Sequence, residues 1–300
     1  MTVSRSTFDL FNNYDKSIKF GGRLSNFHFN WPKSDIFVYN LVKNGLYLKF
    51  NSTPPLVKEP TKCIPYDEKL SVHVDEMLRE NVLEEVPLGI GRFWNTIFLV
   101  LSPDRVSTKE RLILNMKPLN KFVSKSSFKM IRIEDVMLVV EKGYKAVVLD
   151  LSKAYWHVLI NKKFRKYFSI AFNNRFYQFR AMPFGLTTAP FLFTRIMNAV
   201  CSELRNDGLI IFNYLDDLLL LNKCPVVLQR QTHMTIKLLI DKGFSLNEKK
   251  SCLEPSVNFS YLGVVFNTEL MSICNTPANI NKCIDKVWLL LTVRIFLEGA

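Results

Sequence analysis

Several features that would send a chain out of the cell or into a bilayer are missing here. The six cysteines, at positions 63, 201, 224, 252, 274 and 283, show no Cys-x-x-Cys spacing and no neighbouring histidine array. This argues against a zinc site or a disulfide framework, and reduced, intracellular thiols are the simpler reading. The N-terminus carries Arg5 and Asp9 but no apolar stretch of the secretory kind, so a cytoplasmic or nuclear location is expected. The long apolar run at residues 287–297 contains Arg294 and is well short of the ~20 residues that cross a bilayer. It reads as a packed helix, with no membrane partner. Internal repeats and low-complexity linkers are absent, and Pro54, Pro55 and Pro60 mark the one clear loop. Acidic residues are scarce relative to basic ones, 27 against 40, which gives a net charge of +13 and a pI near 9.4. Such an excess favours a polyanionic partner, because clustered Lys and Arg release counterions from a phosphate backbone. A merely soluble basic protein remains the alternative on composition alone.

With 48% hydrophobic residues in 300, a sizeable core is available, and the length suggests two units. The most informative stretch is 209–221, an apolar segment interrupted by Asp216 and Asp217. Two adjacent buried carboxylates repel each other and lose hydration, so something positive must sit beside them. The pattern reads as two short strands meeting at a hairpin tip that presents both carboxylates to divalent metal. Oxygen-only ligands suit Mg²⁺ or Mn²⁺ rather than zinc or copper. A plain Asp-containing turn between core strands is the other reading. A second apolar, β-branched run, 144–150, also ends in a carboxylate, Asp150. Three such carboxylates make a two-metal site for in-line phosphoryl displacement plausible.

Around these residues the pattern predicts a helix from Asp67 through Leu70, Val74, Met77, Leu78 and then Val82. Strands are expected at 97–101 and 111–116, and a helix over 133–141 stopped by Gly143. A strand at 146–149 follows, then a hairpin turning at Asn173 and Asn174, since Asn tolerates positive φ. The best helix has Thr188 as N-cap, Pro190 in its first turn, Gly208 past its end, and a core-facing stripe of Phe193, Ile196, Met197, Val200, Cys201 and Leu204. Another helix, about 226–242, stops at Gly243. The order strand, helix, two strands, helix, strand matches a split β-α-β sheet.

Asp150 to Tyr155, Met182 to Pro190 and Tyr214 to Asp217 resemble, in order and spacing, successive palm motifs of a reverse transcriptase. The likeness extends to Gly21–Leu24, Gly45–Phe50 before Pro54 and Pro55, Arg111–Asn120, Phe128–Met130, Gly243–Ser251 and Tyr261–Gly263. It is strongest toward DIRS-type retrotransposons, which carry a tyrosine recombinase, with Ty3-type elements next. The resemblance implies an α+β fold, right-hand polymerase fingers and palm with a ferredoxin-like palm sheet. It divides the chain into an N-terminal extension (1–60), fingers (61–143), a palm (144–274) with a fingers insertion at about 160–182, and the start of a truncated thumb (275–300). Family members continue into a multi-helix thumb and a ribonuclease H region.

By the same resemblance, Asp150 and Asp216 would bridge two Mg²⁺ ions, with Asp217 as third acidic member. Backbone near Lys153 and Ala154 would hold the triphosphate of a dNTP, and Tyr155 would exclude a ribose 2′-hydroxyl unless it is an ordinary core aromatic. Arg111 would stack on the incoming base and reach its phosphate, or else be a solvated strand-edge residue. Pro183, Phe184 and Gly185 would pack against nucleotide and template, and Tyr214 would adjoin the primer. Lys250, or Lys249, would protonate leaving pyrophosphate, or would lie in a solvated turn. Tyr261, Leu262 and Gly263 would grip the primer end, or form a core strand with a bulge. One departure stands out: residues 101–104 replace the Pro-Lys pair of relatives, leaving Arg105 or Lys109 as substitutes. The expected function is RNA-directed DNA polymerisation on an RNA or DNA template with primer. The alternative is a catalytically inactive, nucleic-acid-binding remnant of a retroelement.

Overall fold

The structure, a computed structural model, describes residues 17–101, 110–277 and 280. The substitute cations Arg105 and Lys109, the apolar run at 287–297 and nearly all of the expected thumb segment lie outside the described residues.

The first described elements are a 3-10 helix, Arg23–Asn30, and helix α1, Ile36–Asn44. Helix α2, Glu68–Arg79, is capped by the Asp67 carboxylate, which accepts from the Leu70 amide at 2.8 Å, and buries Leu70, Val74 and Met77. Strands β1 (Leu83–Glu85), β2 (Trp94–Asn95), β3 (Ile97–Leu101) and β4 (Glu110–Leu114) follow. Two short helices, α3 (Lys117–Asn120) and α4 (Ile133–Met137), lead to β5 (Lys145–Asp150). Beyond it come β6 (Ser169–Phe172), β7 (Arg175–Phe179), helix α5 (Ala189–Asn206), β8 (Ile210–Tyr214), β9 (Asp217–Asn222) and helix α6 (Pro225–Asp241). Strands β10 (Cys252–Ser256), β11 (Asn258–Tyr261), β12 (Val264–Asn267) and β13 (Ser272–Asn275) close the described chain.

One sheet has the order β1-β7-β6-β2 and another the order β10-β5-β9-β8. In the second, every neighbouring pair is antiparallel. With α5 between β5 and β8, and α6 between β9 and β10, this is the split β-α-β arrangement expected of a palm. Its central strand β9 explains the unbroken Leu218–Leu221 run, because both faces are covered. Leu218 and Leu220 join the main core with Val147, Leu149 and α5, whereas Leu219 and Leu221 pack with Phe259, Tyr261 and Phe266 on the other side. The β6–β7 turn places Asn173 at φ 48° and Asn174 at φ 54°, as a two-residue hairpin with primed geometry requires.

The described part of the first sixty residues packs into the same core as the palm. Leu24, Trp31, Val38, Leu41 and Leu46 are buried there. Buried Arg23 donates from Nε to the Gly243 carbonyl at 2.9 Å, and Trp31 Nε1 donates to the Lys242 carbonyl at 3.1 Å. Gly243 sits at φ 96°, and a Cβ there would meet the Phe27 ring at 2.5 Å; only glycine allows this close approach.

Two local expectations change. Thr188 occupies the N-cap position of α5, but its backbone is helical (φ −93°, ψ −9°) and its side chain makes no cap bond; a capping side chain normally needs extended backbone. The helix predicted over 133–141 ends at Met137, before the β-branched pair Val139 and Val140, which helices disfavour.

Candidate active site

The apolar run 209–221 folds into the β8–β9 hairpin, with Leu215 and Asp216 as its two-residue tip and Tyr214 paired to Asp217. Leu215 adopts φ 54°, a conformation that disfavours a side-chain-bearing residue, and strain of this kind collects at functional sites. Asp150 ends β5 directly opposite Asp217, so their side chains emerge on one face of the sheet. The Leu151 amide donates to the Asp216 carbonyl at 2.9 Å and ties the tip to the chain leaving β5.

Burial pushes the Asp217 carboxyl up to about 6, reinforced by Asp216 and Asp150 and opposed by Lys250. Burial also raises Asp150, with Lys250 pulling the other way and Asp216 adding to the rise. The Lys250 Nζ lies 3.7 Å from Asp150 Oδ2. One ammonium thus serves two carboxylates, Asp150 and Asp217, with Asp216 at the adjoining tip. Among the described residues, no group of three or more His, Cys, Asp or Glu side chains is arranged so that together they could hold a metal ion.

Beside the carboxylates, Lys153 takes φ 50° and leads into the 3-10 turn Ala154–His157. The amides of Lys153, Ala154 and Tyr155 donate to no acceptor among the described residues, the first amide bond of the turn being that of Trp156 to the Lys153 carbonyl. A left-handed residue followed by helical ones makes successive N–H groups an anion-binding concavity. Tyr155 is 6% exposed. Its ring packs on Phe184 at 4.8 Å and Phe193 at 5.5 Å, while burial, then Asp216 and Tyr214, push its hydroxyl up to about 12. Pro183 is buried; Phe184 and Gly185 are exposed. The Asn120 side chain holds this segment in place, donating to the Gly185 carbonyl at 2.8 Å and accepting from the Thr187 amide at 3.0 Å. Arg111 is exposed on β4, and among the described residues no hydrogen bond or ion pair joins it to the carboxylates.

On the other side of the hairpin lies a groove of about 610 Å³ lined by Asp150, Asp217, Lys250, Tyr261, Leu262 and Gly263, among others. Leu262 and Gly263 form the tip of the β11–β12 hairpin, at φ 50° and 82°, rather than a bulge within a strand. Tyr261 is buried, its hydroxyl 3.5 Å from the Asp217 carbonyl, and burial followed by Asp217 raises its pKa. Sequence reasoning missed the support beneath Asp150. The Ser251 hydroxyl oxygen accepts from its amide at 3.1 Å, the Asn247 backbone amide donates to its carbonyl at 2.8 Å, and the nearby Asn247 side chain works against the burial-driven rise of its carboxyl pKa. Both residues lie in the Gly243–Ser251 stretch, but nothing local signals a partner a hundred positions away.

Comparison with known proteins bears on this arrangement. Protein P of duck hepatitis B virus (strain China) is 26% identical over 189 residues, 61% of this chain and 24% of that protein. The retrovirus-related Pol polyprotein from transposon 412 of Drosophila melanogaster is likewise 26% identical over 189 residues, 62% of this chain and 15% of that protein. The chain therefore corresponds to a quarter or less of the length of these relatives. Among solved structures, the foamy viral protease-reverse transcriptase dRH in complex with double-stranded DNA matches with a TM-score of 0.64 at 20% identity, covering 77% of this chain and 39% of that one. This likeness shows the fold, a reverse transcriptase fingers and palm. The family model for reverse transcriptase (RNA-dependent DNA polymerase) matches residues 102–266, from the β3–β4 connection through the carboxylate hairpin to β12. That span exceeds half of the sequence, and the chain belongs to the reverse transcriptase family.

Proposed function

We propose that this chain is the RNA-directed DNA polymerase region of a retroelement, of DIRS type by its sequence motifs, adding deoxynucleotides to a primer 3′-end. The observation that carries the reading is the register of Asp150 opposite Asp217 with Asp216 at the adjoining tip. Three carboxylates with one lysine form an anionic centre built only of oxygen donors, which fits two Mg²⁺ ions, or Mn²⁺. An open site also fits, because Mg²⁺ is usually held by one or two carboxylates together with substrate phosphates rather than by an all-protein cage. Bound there, the metal would stabilise charge on the attacking and leaving oxygens of an in-line displacement.

The protein's own groups supply alignment. Asp150 and Asp216 would hold the ions, with Asp217 keeping the local field negative. Free amides at Lys153, Ala154 and Tyr155 are donors for the triphosphate, and the Tyr155 ring, braced by Phe184 and Phe193, fills the space a ribose 2′-hydroxyl would need. Arg111 would reach the base and phosphate from the fingers, and Lys250 would give a proton to the departing pyrophosphate. The groove along Tyr261, Leu262 and Gly263 would seat the primer end, with Tyr214 beside it. Pro183, Phe184 and Gly185 would line the nucleotide and template side. The five described cysteines are free thiols, in keeping with action inside a cell, and among the described residues no helix is long and apolar enough to cross a membrane. Ribonuclease H and tyrosine recombinase regions of the same element are the proposed partners in cis.

Primer extension on RNA and DNA templates with dNTPs and Mg²⁺ tests the reading. Template-directed, metal-dependent extension is the expected result. Duplex binding without extension would favour a nucleic-acid-binding remnant.

A further inference from the structure

The side chain of Lys153 is held far more tightly than a phosphate ligand should be. Its Nζ pairs with the Glu76 carboxylate on α2 and lies 4.9 Å from the Phe20 ring centroid and 4.8 Å from that of Trp156. Three separate parts of the chain therefore meet on one ammonium: the N-terminal segment, helix α2 and the turn that follows β5. The segment carrying Phe20 is fixed to both neighbours, since the Gly21 amide donates to the Glu80 carbonyl and the Gly22 amide to the Trp156 carbonyl, each at 2.8 Å. A half-exposed ion pair alone is weak, but two aromatic faces and a carboxylate around one cation reinforce each other.

The backbone of the same residue stands in the left-handed region, φ 50° and ψ 42°. A lysine there is strained, whereas a glycine would not be. The three amides that follow from this turn, those of residues 153–155, are the unpartnered donors described above. We propose that Lys153 is a positioning residue: its side chain, clamped by Glu76, Phe20 and Trp156, holds its own backbone in the left-handed turn that keeps these amides arranged for the phosphates of an incoming nucleotide. The inference rests on the nucleotide-site reading, and it assigns the ammonium to the clamp rather than to the phosphates. Glu76 and Phe20, which no sequence motif connects to the site, become part of it.

The two roles of a lysine separate in binding measurements that need no turnover. The probe is inorganic tripolyphosphate, titrated calorimetrically into wild type, Lys153→Ala, Lys153→Gly and Glu76→Gln. Alanine and glycine remove the same charge and differ in backbone freedom. If the clamp sets the turn, Lys153→Ala weakens binding by about tenfold, the scale of a left-handed residue's strain, and Lys153→Gly loses clearly less. Glu76→Gln weakens binding as well, although it makes the region more positive. An ammonium that binds phosphate directly would give equal losses in the alanine and glycine variants and tighter binding in Glu76→Gln, and either result overturns the proposal, as does a wild type that does not bind tripolyphosphate. In primer extension, KM for dTTP should rise in Lys153→Ala and Glu76→Gln while kcat moves far less. Failure of the wild type to extend any primer, with the order of tripolyphosphate affinities intact, would sink the polymerase reading and leave the clamp standing.

Discussion

Asp150, the last residue of β5, stands directly opposite Asp217, the first residue of β9. Each is raised by burial, and each feels Asp216. In the absence of a cation the folded chain therefore holds a repulsive centre that Lys250 only partly offsets. Ionising that centre costs stability, and a divalent ion should return it.

The first prediction is a pH-dependent metal effect on stability. Asp217 titrates near 6 in the folded chain and near 3.8 unfolded, so it must be ionised before an ion gains its full charge. Calorimetric melting in 10-fold excess Mg²⁺ over the dissociation constant stabilises a site by about 1.4 kcal/mol. The rise in Tm should be clear at pH 7.5 and should largely vanish at pH 5. Equal shifts at the two pH values would detach Asp217 from the metal site.

A second concerns catalysis. Asp150→Asn and Asp216→Asn should each cut primer extension by on the order of a thousandfold or more, since charge stabilisation is the main resource of such sites. Affinity for primed template should change little, because it arises from the basic surface. Electrophoretic mobility shifts beside extension assays read both quantities. Mg²⁺-dependent extension surviving in either variant would remove that residue from the mechanism.

The third addresses sugar selection. Tyr155 is braced by Phe184 and Phe193, so Tyr155→Val should raise the ratio of ribonucleotide to deoxyribonucleotide incorporation by roughly ten- to a hundredfold, within the range that steric pocket changes achieve. Phe184→Ala should move the ratio the same way but less, by letting the ring relax. An unchanged ratio in an active Tyr155→Val enzyme would make Tyr155 a core aromatic only.

How much of this could be read beforehand depends on the range of the interaction. The carboxylate hairpin was visible because its information is local: an apolar run broken by two aspartates can be buried only at a tip. The palm order followed from alternating strand and helix periodicities. By contrast, Asn247 and Ser251 support Asp150 across about a hundred residues, and Glu76 meets Lys153 across 77; no spacing rule connects such pairs. Leu215 and Leu262 take positive φ at two hairpin tips without any residue preference to announce it, although Gly263 marks the second. The packing of residues 17–60 into the palm core was hidden for a related reason, because their aromatic and polar alternation has no strong period.

The last prediction sets a buried histidine against a half-buried carboxylate. His157 is fully buried, with Nε2 accepting the Ser245 amide at 3.0 Å; burial, with Arg23 adding, lowers its pKa to about 3 from 6.5. The unfolded chain binds a proton there that the folded chain refuses, so the stabilising contribution of His157 is full above pH 6.5 and is lost as pH falls, by about 1.4 kcal/mol per unit. Asp217 behaves oppositely. Its folded pKa is raised, so its favourable contribution is full below pH 3.8 and is lost as pH rises toward 6, at a similar slope. Between pH 6 and 4 the two slopes oppose, and in metal-free buffer they should nearly cancel. Denaturant melts of Asp217→Asn should then lose stability with acidification more steeply than wild type, by about 1 kcal/mol per unit, while being more stable at pH 7.5 by roughly 2–3 kcal/mol. His157→Gln, though less stable at neutral pH, should show the reverse trend. Parallel pH profiles for wild type and Asp217→Asn would mean that Asp217 titrates alike in the folded and unfolded chain, and the dehydrated, mutually repelling carboxylates facing across β5 and β9 would not exist in solution.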